Sequence, residues 1–226
     1  MEIIHQDREI VVCLKPAGVL STDEPGGVPE LLRQQLQTEE IRTVHRLDRV
    51  VGGLMLLARS AAAASELSRQ IRDGDFDKRY LAVVHGETPE KGELRDLLLR
   101  NKAERKTYVV SAPAKGVQEA VLRYETLGRA EGLSLVRIEL LTGRTHQIRA
   151  QMAHAGWPLL GDGKYGSERF NKGFEEKGQA LYSYRLRFDF PTDAGALEYL
   201  RGREFRVQQV DFAEKYFGVT ELTFES

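Results

Sequence analysis

The chain has 226 residues but only one cysteine, one tryptophan and seven prolines. A single cysteine, Cys13, cannot form an intrachain disulfide, which excludes a disulfide-stapled scaffold and suits a reducing compartment. Its apolar neighbours from Ile10 to Leu14 indicate a buried structural thiol and not a nucleophile.

Long apolar runs are also missing. The N-terminal residues Met1–Asp7 have no apolar segment of the kind found in signal peptides. No uninterrupted apolar run approaches the length of a membrane-spanning helix. We therefore expect a cytoplasmic protein without a membrane partner.

The sequence has no excess of charge of one sign. Its 33 basic and 34 acidic residues give a formal net charge of −1, which excludes a uniformly basic nucleic-acid-binding protein. Two local stretches, residues 95–106 and 142–172, contain more basic than acidic residues. Any affinity for RNA has to come from such patches, although the first one alone resembles an ordinary solvated face.

The signatures of several enzyme classes are absent. The five histidines lack the spacing of a zinc site, and no Gly-x-Ser-x-Gly elbow of a serine hydrolase is present. The Gly161–Gly166 run lacks the spacing and the terminal Lys-Ser/Thr of a phosphate-binding loop, so we interpret it as a turn. We expect no metal and no cofactor.

Strand patterns are frequent along the chain and helix patterns are few. Strands are predicted at Ile3–Ile4, Ile10–Val12, Leu54–Ala58, Lys78–Val84, Lys106–Ser111, Glu119–Leu127, Leu133–Leu141 and Leu181–Phe188. Helices are predicted over Val28–Leu36, after Ser60, after Thr145 as N-cap, and within Val207–Phe217. This pattern predicts an α+β fold with a mixed, largely antiparallel central sheet and flanking helices and loops.

A lone carboxylate among arginines is the first candidate for chemistry. Asp48 lies between Arg46 and Arg49, just before Gly52-Gly53 and an apolar strand. An aspartate in a polar loop most often forms a turn or a surface salt bridge, but loops fixed to a core strand also carry functional residues. A carboxylate held among arginines stays ionised and is placed to meet an anionic polymer, which favours an enzyme that acts on RNA.

Three motifs in order resemble the RluA-type pseudouridine synthases. They are His45-Arg46-Leu47-Asp48, then Lys78-x-Tyr80-x-Ala82-Val83-x-x-Gly86, then Thr142-Gly143-Arg144-Thr145-His146-Gln147-Ile148-Arg149. The stretches 15–20 and 156–166 match as well. The resemblance implies the catalytic fold of that family, as a single domain over residues 1–226 without a separate N-terminal RNA-binding domain.

The resemblance also implies residue roles. Asp48 would be the catalytic aspartate, Tyr80 the aromatic residue over the target uracil, and Arg149 the arginine paired with Asp48. Arg46 would help to extrude the target nucleotide. Asp48 could attack C1′ of the ribose or remove the C2′ proton, and the residues do not decide between these routes.

The implied partner is structured RNA, in which specific uridines of tRNA or rRNA are isomerised to pseudouridine. The sequence is silent on the oligomeric state, and a monomer is the default expectation. Candidate RNA-binding residues are Arg46, Arg144, His146 and Gln147. The chain departs from the family pattern at residues 49–53, where Thr-Ser-Gly is the commonest continuation, and at Gln151 and Tyr182, where many members have histidine. These departures bear on substrate choice.

Two alternatives come from other classes. One is an RNA-binding protein or chaperone that kept the fold and lost the chemistry. The other is a nucleoside or glycoside hydrolase built around one aspartate, although the second carboxylate that such hydrolysis normally requires is not evident.

Overall fold

The computed structural model describes residues 1–74, 76–167, 171–174 and 178–222. It has the predicted α+β fold, with a mixed, mostly antiparallel sheet and a few helices. The chain divides into two compact units, and two strands, β5 (Phe76–His85) and β10 (Leu181–Phe188), contribute residues to both. The single domain expected over residues 1–226 stays a prediction.

The first unit comprises Met1–Lys78 and Ser183–Val207. Its strands are β1 (Glu2–Gln6), β2 (Ile10–Lys15), β3 (Arg42–Thr43), β4 (Gly52–Ala58), the 183–188 part of β10, and β11 (Glu204–Arg206). Its helices are α1 (Val28–Leu36), α2 (Ala61–Asp73) and a 3₁₀ helix at Gly195–Leu200. The strand order is β1-β2-β4-β10, with β3 paired to β4 and β11 paired to β10.

Apolar residues of β2 and β4 form the core of this unit together with α2. The hydroxyl oxygen of Ser60 accepts a hydrogen bond from the Ala63 N–H at 3.0 Å, and Gly74 ends the helix in the left-handed conformation. The core side chains include Ile10, Val12, Leu54, Leu56, Leu67, Phe76, Leu186 and Phe188. The all-buried β4 is therefore a fixed base for the turn that precedes it.

The second unit comprises Arg79–Tyr182 and Gln208–Ser226. Its strands are the 79–85 part of β5, β6 (Lys91–Asn101), β7 (Lys106–Val110), β8 (Val117–Ala130), β9 (Leu133–Leu140) and the 181–182 part of β10. Its described helices are α3 (Gln147–His154) and α4 (Asp211–Phe217). Along the order β5-β9-β8-β6-β7 every neighbouring pair is antiparallel.

Helix α3 packs on the β6–β8 part of this sheet through Ala150, which contacts Leu98 and Ala120. The prediction of Thr145 as its N-cap is wrong. The helix begins one residue later, with His146 as N-cap in the left-handed conformation (φ 56°), and no side chain caps it. The backbone carbonyl of Thr145 instead accepts a hydrogen bond from the β7 residue Thr107 at 2.8 Å.

Candidate active site

Asp48 lies in the first unit, in the turn that joins β3 to β4. The preceding Leu47 is buried, and both of its backbone groups bond to the Ser21 hydroxyl, with the Leu47 N–H donating at 3.2 Å. After the aspartate, the Val51 N–H donates to the Asp48 carbonyl at 3.0 Å. The half-buried aspartate therefore sits on a backbone that is fixed on both sides.

A buried lysine fastens this turn to β2. Lys15 is the last residue of β2, is 1% exposed, and donates from Nζ to the carbonyls of Pro16 at 2.9 Å, Val19 at 2.7 Å and Arg49 at 3.0 Å. Burial lowers the pKa of Lys15 to about 8, while the negative charge of Asp48 acts in the opposite direction. The turn thus has a buried ammonium group whose charge interacts with Asp48.

Two glycines lie in the segments beside the turn, and the second allows a close backbone approach. The Gly18 N–H donates to the Arg49 carbonyl at 2.7 Å, and Arg49 Nε donates back to the Gly18 carbonyl at 2.9 Å. Gly53 has φ +118°, and a Cβ atom there would lie 2.3 Å from the Ser183 carbonyl oxygen. Only glycine fits this start of β4. These contacts give Arg49 a structural role in holding the turn.

His45, the first residue of the Asp48 motif, is a structural acceptor. The Leu56 N–H donates to its Nε2 at 3.0 Å, which places the ring proton on Nδ1. Burial lowers the pKa of His45 to about 3, and the positive charge of Lys78 acts in the same direction. The ring is therefore neutral at physiological pH and ties the motif to β4.

Arg46 of the first motif and Tyr80 of the second motif differ in solvent exposure. Arg46, beside the catalytic candidate, is exposed. Tyr80 lies on β5 in the second unit, opposite Ile138 of β9, and is 6% exposed. This burial is compatible both with a ring that stacks on a base and with a tyrosine packed in the core, so its assigned role stays a prediction.

Arg149 lies on α3 in the second unit and is 5% exposed. Its guanidinium donates from Nε to Asp162 Oδ2 at 2.8 Å and from Nη2 to Asp162 Oδ1 at 3.0 Å. The Asp162 side chain is fully buried. The pairing of Arg149 with Asp48 stays a prediction. The bidentate contact with Asp162 was not predicted, because the sequence motif around Asp162 indicates only a turn.

A tyrosine also packs against this arginine. The guanidinium carbon of Arg149 lies 4.9 Å from the centre of the Tyr165 ring. The Tyr165 hydroxyl accepts a hydrogen bond from the Thr107 N–H at 2.7 Å and lies 2.8 Å from His146 Nδ1. The Arg149 side chain is therefore held along one edge of its guanidinium and on one face.

The remaining RNA-binding candidates lie at the start of α3. Gln147 is 2% exposed; its Oε1 accepts from the Thr142 hydroxyl at 2.8 Å and from the Arg144 N–H at 2.9 Å, and its Nε2 donates to the Val121 carbonyl at 3.1 Å. Arg144 donates from Nε to the Glu119 carbonyl at 2.9 Å. These contacts shape the turn before α3, and a role in binding RNA stays a prediction for each.

Residues 168 and 169 of the second basic patch lie outside the described residues.

Residues 9–154 match the protein family described as RNA pseudouridylate synthase. The chain is a member of the RNA pseudouridylate synthase family. This membership confirms the predicted family and enzyme class, an isomerase. The matched residues include Asp48, Tyr80 and Arg149 and end before Asp162 and Tyr165.

Similar proteins of the family are named after different RNA classes. The chain is 34% identical over 218 residues to the tRNA pseudouridine synthase C of Pectobacterium carotovorum subsp. carotovorum, a match that covers 87% of this chain and 57% of that protein. It is 31% identical over 206 residues to the ribosomal large subunit pseudouridine synthase C of Haemophilus influenzae, covering 88% and 64%. The chain thus spans less than two thirds of these two relatives.

A solved structure, human RNA pseudouridylate synthase domain containing 1, has the same fold. It superposes with a TM-score of 0.78 over 99% of this pseudouridine synthase and 90% of that chain, at 22% identity. Among the residues described for the present protein, no helix combines the length and the apolar character needed to cross a membrane.

Two residues of this site were missed from the sequence. Lys15 was assigned no role beyond its place in the matching stretch 15–20. It nevertheless follows the apolar segment Ile10–Leu14 directly, which is an unusual place for an ammonium group. Asp162 lies between Gly161 and Gly163, and nothing in that local pattern indicates a buried carboxylate. Its partner is 13 residues away in the chain, so only the fold reveals the pair.

Proposed function

We propose that this chain isomerises specific uridines of structured tRNA or rRNA to pseudouridine, as a cytoplasmic monomer without a cofactor, and that Asp48 is its catalytic residue. The observation that carries the proposal is the Asp48 turn, held by the buried ammonium of Lys15 in a chain that belongs to the family. The names of the relatives support both RNA classes as substrates.

The reaction breaks the bond between ribose C1′ and uracil N1 and forms a bond between C1′ and C5. The C5 proton is released and N1 gains a proton, so that substrate and product are isomers. Positive charge develops at C1′ when the first bond breaks, and an ionised carboxylate nearby stabilises it. Asp48 supplies this carboxylate, either by attacking C1′ or by removing the C2′ proton to give a glycal.

Tyr80 is proposed to stack on the detached uracil. An aromatic face holds a flipped base while it turns from N1 to C5, and the Tyr80 hydroxyl assists removal of the C5 proton. Burial of the ring on β5 restricts its movement. The base then has little freedom to leave before the new bond forms.

Two arginines are proposed to take part: one pairs with the catalytic carboxylate, and the other replaces the flipped nucleotide in its stack. Arg149 is proposed to pair with Asp48 and to orient its carboxylate. Arg46 is exposed beside the aspartate and fills the gap that the flipped nucleotide leaves in its stack.

Further contacts with the RNA are assigned to the start of α3. Arg144 and His146 are half-buried there and can present cationic or hydrogen-bonding groups to phosphates. Gln147 contributes by holding the turn, because its polar atoms already bond within the chain.

The test is to map pseudouridine in defined RNA. Unmodified transcripts of tRNAs and of large-subunit rRNA domains are incubated with the full chain, and pseudouridines are located by carbodiimide-blocked primer extension. We expect new stops at specific uridines in one of the two RNA classes. Asp73→Asn, which changes an exposed carboxylate at the end of α2, serves as the control that keeps the activity.

The other outcomes distinguish the rival functions. Binding of these transcripts without any pseudouridine would show an RNA-binding protein that has lost the chemistry. Release of free uracil in place of pseudouridine would show a hydrolase.

A further inference from the structure

The carboxylate of Asp162 has no access to solvent, and both of its oxygens face the guanidinium of Arg149 at 2.8 and 3.0 Å. Two parallel hydrogen bonds between a planar guanidinium and a carboxylate fix direction as well as distance. They use the edge formed by Nε and Nη2, which accounts for two of the five N–H donors of the arginine. Because the guanidinium is planar and rigid, fixing this edge also fixes the direction of its other N–H donors.

Asp162 is itself oriented by the backbone of its own turn. Its Oδ1 accepts hydrogen bonds from the N–H groups of Lys164 at 2.9 Å and Tyr165 at 3.2 Å. Its backbone carbonyl accepts from the Gly166 N–H at 2.9 Å. A Cβ atom at Gly166 would lie 2.8 Å from that carbonyl oxygen, so glycine is needed to close the turn. The carboxylate therefore has one position from which to meet Arg149.

The ring of Tyr165 covers one face of the same guanidinium, 4.9 Å from its central carbon. The phenol oxygen is anchored in turn by the Thr107 N–H at 2.7 Å and lies 2.8 Å from His146 Nδ1. Edge and face of Arg149 are thus both held, and a rotation of the guanidinium would break contacts on both.

We infer that Asp162 is a positioning residue of the reaction: it holds the guanidinium of Arg149 in one orientation, which the role proposed for that arginine requires. This inference rests on the proposed function of Arg149. It goes beyond a structural ion pair, because a structural pair predicts only lost stability when it is broken, whereas a positioning pair predicts a slower chemical step in protein that is still folded.

The experiment measures single-turnover rates of pseudouridine formation and the dissociation constant of the RNA for the full chain and its variants. The variants are Asp162→Asn, Arg149→Met and the double variant, each checked for folding by circular dichroism. We expect Asp162→Asn to slow the step by about 100-fold, the loss typical of a misplaced reacting group, and to change RNA binding by less than about threefold. In the Arg149→Met background the same substitution should have no further effect on the rate.

Asp162→Glu guards against a folding failure of Asp162→Asn, because it keeps the charge and moves the carboxylate by one methylene. We expect it to fold and to be at least about tenfold slower than the wild type. Folded Asp162→Asn or Asp162→Glu protein with the wild-type rate would overturn the inference. An undiminished effect of Asp162→Asn in the Arg149→Met background would overturn it as well.

With Asp48→Asn and Asp73→Asn assayed in parallel, the data separate this inference from the proposed function. If the wild type and Asp73→Asn form pseudouridine, Asp48→Asn does not, and the Asp162 variants are as fast as the wild type, only the positioning role fails. If the wild type forms no pseudouridine in any transcript, the proposed function fails and the positioning role fails with it.

Discussion

The ammonium group of Lys15 donates a 3.0 Å hydrogen bond to the backbone carbonyl of Arg49, the residue that follows Asp48. The same group holds two carbonyls of its own turn, so one buried cation joins the end of β2 to the loop with the catalytic candidate. Burying an ammonium group is costly unless it is well hydrogen-bonded. Here the three carbonyl acceptors satisfy the buried ammonium group.

Replacing Lys15 by methionine should therefore slow the reaction. Methionine fills a similar volume but leaves three carbonyls without their donor and removes the cation that interacts with Asp48. We expect the single-turnover rate of Lys15→Met to fall by at least about tenfold, which corresponds to about 1.4 kcal/mol, with RNA affinity nearly unchanged. Lys91→Met, which removes an ammonium from a side chain that is 73% exposed, is the control. Equal rates for folded Lys15→Met and wild type would contradict this role.

The neutral ring of His45 should make stability depend on pH in the acid range. Its pKa is about 3 in the folded chain against 6.5 as the ordinary value, so the unfolded chain binds the additional proton between these pH values. The free energy of unfolding therefore rises with pH through this window. His45 gives its full contribution above pH 6.5 and loses it as the pH falls.

Urea unfolding between pH 4.5 and 7 checks this. Relative to His45→Gln, the wild type should lose up to about 1.4 kcal/mol of stability for each pH unit of acidification below 6.5. His154→Gln, at an exposed position, should not remove this dependence. A constant difference between wild type and His45→Gln across the range would show that folding does not lower the pKa of this ring.

The glycine that follows the Asp48 turn should not tolerate a side chain. In Gly53→Ala the new Cβ would lie 2.3 Å from the Ser183 carbonyl oxygen, at a φ of +118°. We expect a loss of at least about 3 kcal/mol in urea unfolding, from backbone strain and displacement of a strand. Gly74→Ala is the matched control, since its φ is +90° but no atom lies within 4 Å, and it should cost about 1 kcal/mol. A loss no larger than that of the control would mean that β4 can shift freely.

Elements with a strong local signal were predictable from the sequence. Helix α1 has the predicted bounds of Val28–Leu36 and β10 those of Leu181–Phe188, since each combines apolar periodicity with clear end signals. Strand β6 was not predicted: along Lys91–Asn101 only Leu98 is buried, so the strand owes its existence to pairing with β7 and β8. The predicted helix of the tail begins at Asp211, four residues later than the start of the apolar pattern at Val207.

The candidate site was also predictable only in part, because some of its contacts join residues that are far apart in the sequence. Asp48, Tyr80 and Arg149 could be predicted because each belongs to a motif of residues that are close together in the sequence. Lys15 and Asp162 act through contacts that are distant in the chain, 34 residues to Arg49 and 13 residues to Arg149. Such contacts depend on tertiary packing, and no local periodicity encodes them.

The central claim is that Asp48 carries out the chemistry, and hydrogen release from uracil C5 tests it most directly. RNA labelled with tritium at C5 of uridine is incubated with excess wild-type or Asp48→Asn protein, and tritium in the solvent is measured together with RNA binding. We expect the wild type to release all the tritium of its target uridines and none from the other uridines. For Asp48→Asn we expect a rate of release at least about 1,000-fold lower, with similar RNA affinity. Release of tritium by Asp48→Asn at the wild-type rate would contradict the account.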